Sequence, residues 1–310
     1  MILVNYLLMC LIFGTTFLAI KIGVDAAAPP FFSAGLRFFA AGLALFLWMV
    51  WRKKTRFRIL LRKEMLLTGI LLTFGTFAPL YWAEQHVSSG SAAVFSATGP
   101  LMILLIQMLV FKAKSTARTV AGCLLGFTGV LLLLLSDLSS SAGGAWIIGG
   151  LVILAGEISY AAGTLYLRKV IQRYPEASPI TLNAAQMMHG GFLLLVLSLL
   201  TEPIHTAVLP AGPALGSLAY LIIIGSMVAH SLYYWLVAKT NPVFPSTWLY
   251  ISPMIAMAAG ALLYHERITW LSVAGMITII AGTLITNMDS ILRVIRRPAQ
   301  GKASVAGTRH

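Results

Sequence analysis

Apolar positions in this chain fall in long unbroken blocks, without the alternation of a half-buried strand or the single stripe of a surface helix. Ten blocks approach the roughly 20 residues that carry a helix across a bilayer. They cover 2–24, 31–51, 64–84, 90–111, 117–136, 145–167, 180–200, 213–236, 243–263 and 270–288. Continuous runs without a two-residue period argue for helices rather than a barrel, since a spanning segment must satisfy its own backbone polar groups. The pattern predicts an all-α integral membrane protein with ten transmembrane helices. The first block precedes small residues in "DAAAPP", but it lacks a basic leader and its apolar core is too long for a signal peptide, so it reads as a retained helix.

The same pattern repeats. Shifting the sequence by 153 positions aligns Tyr81 with Tyr234, Trp82 with Trp235, Pro100 with Pro253 and Thr116 with Thr269. Val120, Ala121, Gly122 and Gly129 then meet Val273, Ala274, Gly275 and Gly282 in unbroken register. This divides the chain into residues 1–138, residues 139–288 and a basic tail, 289–310, whose polar composition predicts disorder. Five spans per repeat is an odd number, so the second copy enters the membrane upside down. An inverted-topology repeat of this kind is characteristic of secondary transporters, which work by alternating access.

Composition supports the membrane reading: 59% of the 310 residues are hydrophobic and 10% charged, against about 25% charged in a soluble protein. The net charge of +13 would suggest nucleic acid, but its placement does not. With a cytoplasmic N-terminus, 19 of the 22 Lys and Arg residues fall in inner segments, seven of them in "RKKTRFRILLRK". The positive-inside rule selects that orientation, with both termini cytoplasmic in a multi-pass protein of the cytoplasmic membrane. Anionic lipid heads are the natural partners of the surplus charge. No aromatic-interleaved basic patch argues for nucleic acid. Cys10 and Cys123 both lie inside apolar runs without metal-ligand spacing, so neither a metal nor another cofactor is expected.

Three stretches carry a family resemblance: "CLIFGTTFLAIKIGVDAAAPPFFSAGLRFFAAGLALF", "YWAEQHVSSGSAAVFSATGPLMILL" and "STWLYISPMIAMAAGALLYHERITWLSVAGMITIIAGTLI". Their order and spacing resemble the EamA-type members of the drug/metabolite transporter superfamily, from about residue 5 to 287. The resemblance implies ten helices, cytoplasmic termini and transport of small metabolites such as amino acids or drugs, commonly export. Some positions depart from the family pattern. Ala113 stands where the second repeat has Glu266, His265 replaces the Gly usual after the ninth helix, Tyr160 replaces a Trp of the sixth, and Glu157 is a polar intruder near it.

Candidate functional residues follow from what a membrane interior tolerates. Pro100 and Pro253 interrupt equivalent spans, and matched interruptions in two inverted halves point to a substrate site. A packing kink is the alternative for each. Trp248 and Tyr250, just before Pro253, are candidates for stacking on substrate, with Tyr81, Tyr234 and Gln107 as further binding candidates. Tyr81 and Tyr234 would otherwise serve as interfacial anchors; Gln107, Gln186 and His230 are candidate cavity liners whose alternative is interhelical hydrogen bonding. Glu157 and His189 are ionisable groups near mid-span that could exchange protons during a cycle, or could tie helices together, Glu157 pairing with His189 or Asn183. Lys21, Arg37 and Glu84 share the outer level, where Glu84 could pair with either cation as a gate. Snorkelling to the headgroups is the bland alternative. Small residues in spans five and ten permit close packing, either within the chain or across a homodimer face.

The leading expectation is a secondary transporter moving small molecules by alternating access, with proton coupling as an option. An intramembrane lipid-modifying enzyme would need a converging nucleophile and base, and none stands out. "HERIT" lacks the second His of a zinc-binding HExxH, and "SSGSAA" is not a nucleophile elbow. A non-transporting scaffold would need more extensive loops.

Overall fold

A computed structural model describes residues 2–112, 116–135, 143–202, 212–240 and 243–296. The described residues are helical and contain no strand. The helices are α1 (Ile2–Asp25), α2 (Pro30–Trp51), α3 (Lys63–Ala83), α4 (Ser89–Leu109) and α5 (Ala117–Leu135). They continue with α6 (Gly143–Arg173), α7 (Pro179–Thr201), α8 (Pro213–Lys239), α9 (Val243–Ser246 and Trp248–Tyr264) and α10 (Trp270–Arg296). Eight of these are long and apolar enough to cross a membrane, and α5 and α10 contribute the shorter apolar stretches Val120–Leu132 and Trp270–Thr286. Ala113 lies outside the described residues. α10 continues eight residues past the predicted end at 288, so the start of the expected tail is helical, while 297–310 lie outside the description.

Local chemistry sets the helix ends. Ser88 and Ser178 accept hydrogen bonds from the first-turn amides of Ser91 and Ile180 at 3.2 and 3.3 Å, and Pro30 and Pro179 occupy the first turn, where no amide donor is needed. α9 ends at His265 in the left-handed conformation, φ +54°. A residue without a Cβ takes that conformation most readily.

The packing pairs come in matched sets. α2 lies along α7 and α5 along α10; α1 packs on α8 and α9 as α6 packs on α3 and α4; α3 meets α7 as α8 meets α2. Side chains are inverted relative to a soluble protein. Leu3, Val4, Leu200, Leu262 and Leu263 face outward, whereas Arg37, Thr73, Asn183 and Gln186 are sealed inside. The small-residue stripe is used within the chain. A Cβ on Gly122 would meet the Gly282 carbonyl at 2.7 Å, and one on Gly129 would meet the Ile279 amide at 2.7 Å, so α5 and α10 approach backbone to backbone.

Candidate functional site

Two helices depart from α geometry at equivalent places in the two halves. α3 passes through a π segment at Ile70–Phe74 and α8 through one at Leu221–His230. A π turn widens the helix and frees carbonyls from the regular ladder. The Leu71 carbonyl is recaptured by Thr76 Oγ1 and Ser159 Oγ, both at 2.9 Å. The Gly225 carbonyl is recaptured by His230 Nδ1 at 2.8 Å. α4 is interrupted at 97–98, between Ser89–Ser96 and Gly99–Leu109, and α9 at Thr247.

These irregular segments surround a central cavity lined by α1, α2, α3, α4, α6, α7, α8 and α9. Its wall is largely aromatic: Phe13, Phe17, Phe77, Tyr160, Tyr233, Tyr234 and Trp248. Trp248 stacks against Phe13 with ring centroids 4.5 Å apart. Polar groups are set into this wall at few points. Arg37, 0% exposed, donates from Nε to Ser226 Oγ at 2.9 Å and from Nη1 to the Tyr81 hydroxyl at 3.2 Å. Its guanidinium carbon lies 4.6 Å from the centre of the Phe38 ring and 5.2 Å from that of Phe77, so aromatic faces replace a counterion. Among the described residues no carboxylate pairs with it.

Glu157 is also buried, beside Ser96 of the α4 break. Its Oε2 has no hydrogen-bond partner among the described residues and abuts Gly99, where an added Cβ would lie 2.5 Å from that oxygen. The Tyr234 hydroxyl and Trp248 Nε1 are buried without partners as well. Three unpaired polar atoms around one cavity are an unusual concentration, since such atoms are costly to leave unsatisfied. Next to the cavity, the hydroxyls of Tyr160, Thr164, Tyr233 and Ser246 form a cluster linked at 3.2 to 3.3 Å.

Of the residues singled out in the sequence, Arg37, Glu157, Tyr234 and Trp248 line this cavity, as do His230 and Gln186. Tyr81 stands behind it as a partner of Arg37. Pro100 and Pro253 are buried but are not part of the lining. The break beside Pro100 instead presents Ser96, and the break before Pro253 presents Trp248 and Leu249. The Tyr250 hydroxyl turns to the Thr283 carbonyl of α10, 3.4 Å away, and Gln107 is half-buried outside the lining. His189 returns its Nδ1 to the Ala185 carbonyl of its own helix at 2.7 Å, away from the cavity, and no Glu157–His189 or Glu157–Asn183 bond forms.

Lys21 and Glu84 do meet, but not as an ion pair. Lys21 Nζ donates to the Glu84 backbone carbonyl at 2.9 Å and pairs with Asp25, one turn further on, at 3.0 Å. The Glu84 carboxylate, 0% exposed, has no hydrogen-bond partner on either oxygen among the described residues. Nor does it bond Arg37, whose Nε and Nη1 donate to hydroxyls.

Sequence reasoning missed two carboxylates that do bridge helices. Glu266 accepts from the Ser89 and Gly90 amides at 2.9 and 3.2 Å, and Glu202 from the Phe31 and Phe32 amides at 2.6 and 2.9 Å. Each closes the N-terminus of another helix, α4 and α2 respectively, where orphan amides and the helix dipole favour an anion. The only signal was a carboxylate just after a span's end.

The EamA-like transporter family model matches residues 1–135 and again 147–288. The chain is 30% identical over 263 residues to the uncharacterized inner membrane transporter YedA of Escherichia coli K12, covering 84% of this chain and 81% of that one. It is 26% identical over 260 residues to the uncharacterized transporter YoaV of Bacillus subtilis, with 84% and 87% covered. It is also 24% identical over 268 residues to an E. coli K12 protein named "Probable amino-acid metabolite efflux pump", with 85% and 87% covered. A crystal structure at 18% identity superposes with a TM-score of 0.67, over 93% of this chain and 98% of the other, and so shares the fold. With both halves matched and a relative at this identity over most of its length, the chain is a multi-pass membrane protein belonging to the EamA-like transporter family.

Proposed function

We propose that this protein is a secondary transporter that exports small amphipathic metabolites, amino acids or close relatives, across the cytoplasmic membrane by alternating access. The observation that carries this reading is the central cavity: an aromatic wall into which a few charged or polar side chains, among them Arg37, Glu157, Gln186 and His230, are set, built by helices of both halves. Such a lining suits a molecule with an apolar body and a polar head. Ten spans in two inverted five-helix repeats, 1–138 and 139–288, with cytoplasmic termini, account for the matched packing pairs and the matched π segments. The efflux-pump name of one relative supports the outward direction.

Glu157 is the candidate coupling group, because a buried carboxyl in a cavity wall, with Oε2 unpartnered among the described residues, can hold a proton in one state and lose it when the wall opens to water. Purified protein in proteoliposomes, offered pooled amino acids and cationic drugs with and without an imposed proton gradient, tests the proposal. Gradient-dependent flux of one pool is the expected result. Glu157→Gln is expected to remove that dependence while leaving membrane abundance unchanged. Unchanged gradient dependence in Glu157→Gln would end its coupling role, and no flux from any pool would count against transport itself.

A further inference from the structure

Residues 225 and 226, one turn of the π segment in α8, hold two chemically opposite groups side by side. The Gly225 carbonyl binds His230 Nδ1, and the next residue, Ser226, accepts from Arg37 Nε. A carbonyl only accepts, so Nδ1 carries the hydrogen, and in the neutral imidazole Nε2 is left as an acceptor. Nε2 has no hydrogen-bond partner among the described residues, and His230 is part of the cavity lining. Two rings hold both residues: Phe38 and Phe77 lie 4.6 and 5.2 Å from the guanidinium carbon, and 5.5 and 5.8 Å from the imidazole centroid. Gly225 allows this closeness, since even a Cβ there would stand 3.2 Å from Arg37 Nη2.

We propose that Arg37 and His230 form a joint recognition site for the α-amino-carboxylate head of the cargo, with Arg37 donating to the carboxylate and His230 Nε2 accepting from the ammonium. This rests on the transport reading above and narrows it to α-amino acids. The two charged groups of that head are immediate neighbours, which is what a donor and an acceptor fixed to adjacent residues of one turn require. The aromatic wall then receives the side chain. His230 is a specificity residue on this account, and the π turn fixes its tautomer.

The test uses leucine and two analogues that each lack one half of the head, 3-methylbutylamine and 4-methylpentanoate. Binding to the detergent-purified full chain is measured by calorimetry, beside flux in proteoliposomes. Both analogues are expected to bind at least about tenfold more weakly than leucine, the scale of one lost charge-assisted hydrogen bond. Histidine ¹⁵N spectra, with the His230 signals found by their loss in His230→Asn, are expected to show hydrogen on Nδ1 and a shift of Nε2 on adding leucine. His230→Asn can keep the bond to Gly225 but has nothing at the Nε2 position, so leucine KM should rise at least about tenfold with Vmax little changed. His230→Gln, which can place an amide oxygen near that position, should bind leucine more tightly than His230→Asn does. Equal binding of the three ligands, hydrogen on Nε2 in the unliganded protein, or unchanged KM in His230→Asn would each overturn the assignment. Absent flux with retained leucine binding and Nε2 shift would count against transport while leaving the recognition site standing.

Discussion

Single residues in this protein are constrained by unpaired neighbours as much as by partners. Gly99 is the clearest case, because Glu157 Oε2 and Leu249 Cδ1 would lie 2.5 and 2.8 Å from any Cβ there. Gly99→Ala should therefore destabilise the protein by about 1–3 kcal/mol and displace the Glu157 carboxyl, read as a lower thermal midpoint in detergent. An unchanged midpoint would show that the α4 break yields freely. His265 gives the opposite expectation. Its left-handed backbone disfavours a side chain, so His265→Gly should stabilise by up to about 1 kcal/mol, seen as a raised midpoint. The substitution of His for the usual Gly was visible in the sequence, but only the φ angle explains why Gly is usual.

At the scale of elements, the apolar blocks located most helix ends to within a few residues, because the apolar stretch of a span has little freedom in length, but they missed the polar extensions of α6 to Arg173 and of α10 to Arg296. The interruptions were legible only in part. The matched prolines lie in α4 and α9, both of which contribute to the cavity lining, yet the lining groups come from neighbouring residues, since the proline ring offers no polar atom. The π segments left no mark in the apolar pattern: a π turn shifts register while keeping the same residue types. Interhelical capping was equally hidden, because which helix end a carboxylate reaches depends on the packing of distant spans. Glu266→Gln replaces a charged acceptor with a neutral one at the α4 N-terminus and should cost about 1 kcal/mol. Faster hydrogen exchange of the Ser89 and Gly90 amides would register it. If exchange there stays as in the parent, water or the amide oxygen caps that helix equally well.

For the molecule as a whole, the 153-residue offset was the most informative single feature of the sequence, since it relates helix pairs that no local pattern could connect. It could not say which ionisable groups would meet. Arg37 and Glu84 are expected from their places in the spans to share a level, yet Arg37 bonds hydroxyls and aromatic faces, and the Glu84 carboxylate has no partner among the described residues. The reason is angular: depth can be read from position in a span, whereas facing direction follows only from how all the helices pack.

Arg37 also bears on how the chain is made. An arginine in an inserting helix costs up to about 2.5–3.5 kcal/mol, the figure for the helix centre, and the Arg37 partner Ser226 is synthesised 189 residues later. During synthesis α2 must wait in the bilayer with its charge only partly answered by Tyr81, until the second half arrives. Residues 1–138 expressed alone should therefore be degraded, co-expression of 139–310 should rescue them, and Arg37→Leu should raise the abundance of the lone half, all read from membrane fractions. Equal abundance of the lone half with and without Arg37 would show that the charge finds shelter in lipid headgroups. On the proposal that Arg37 meets cargo, the same residue would make the two halves obligate companions from the moment of insertion.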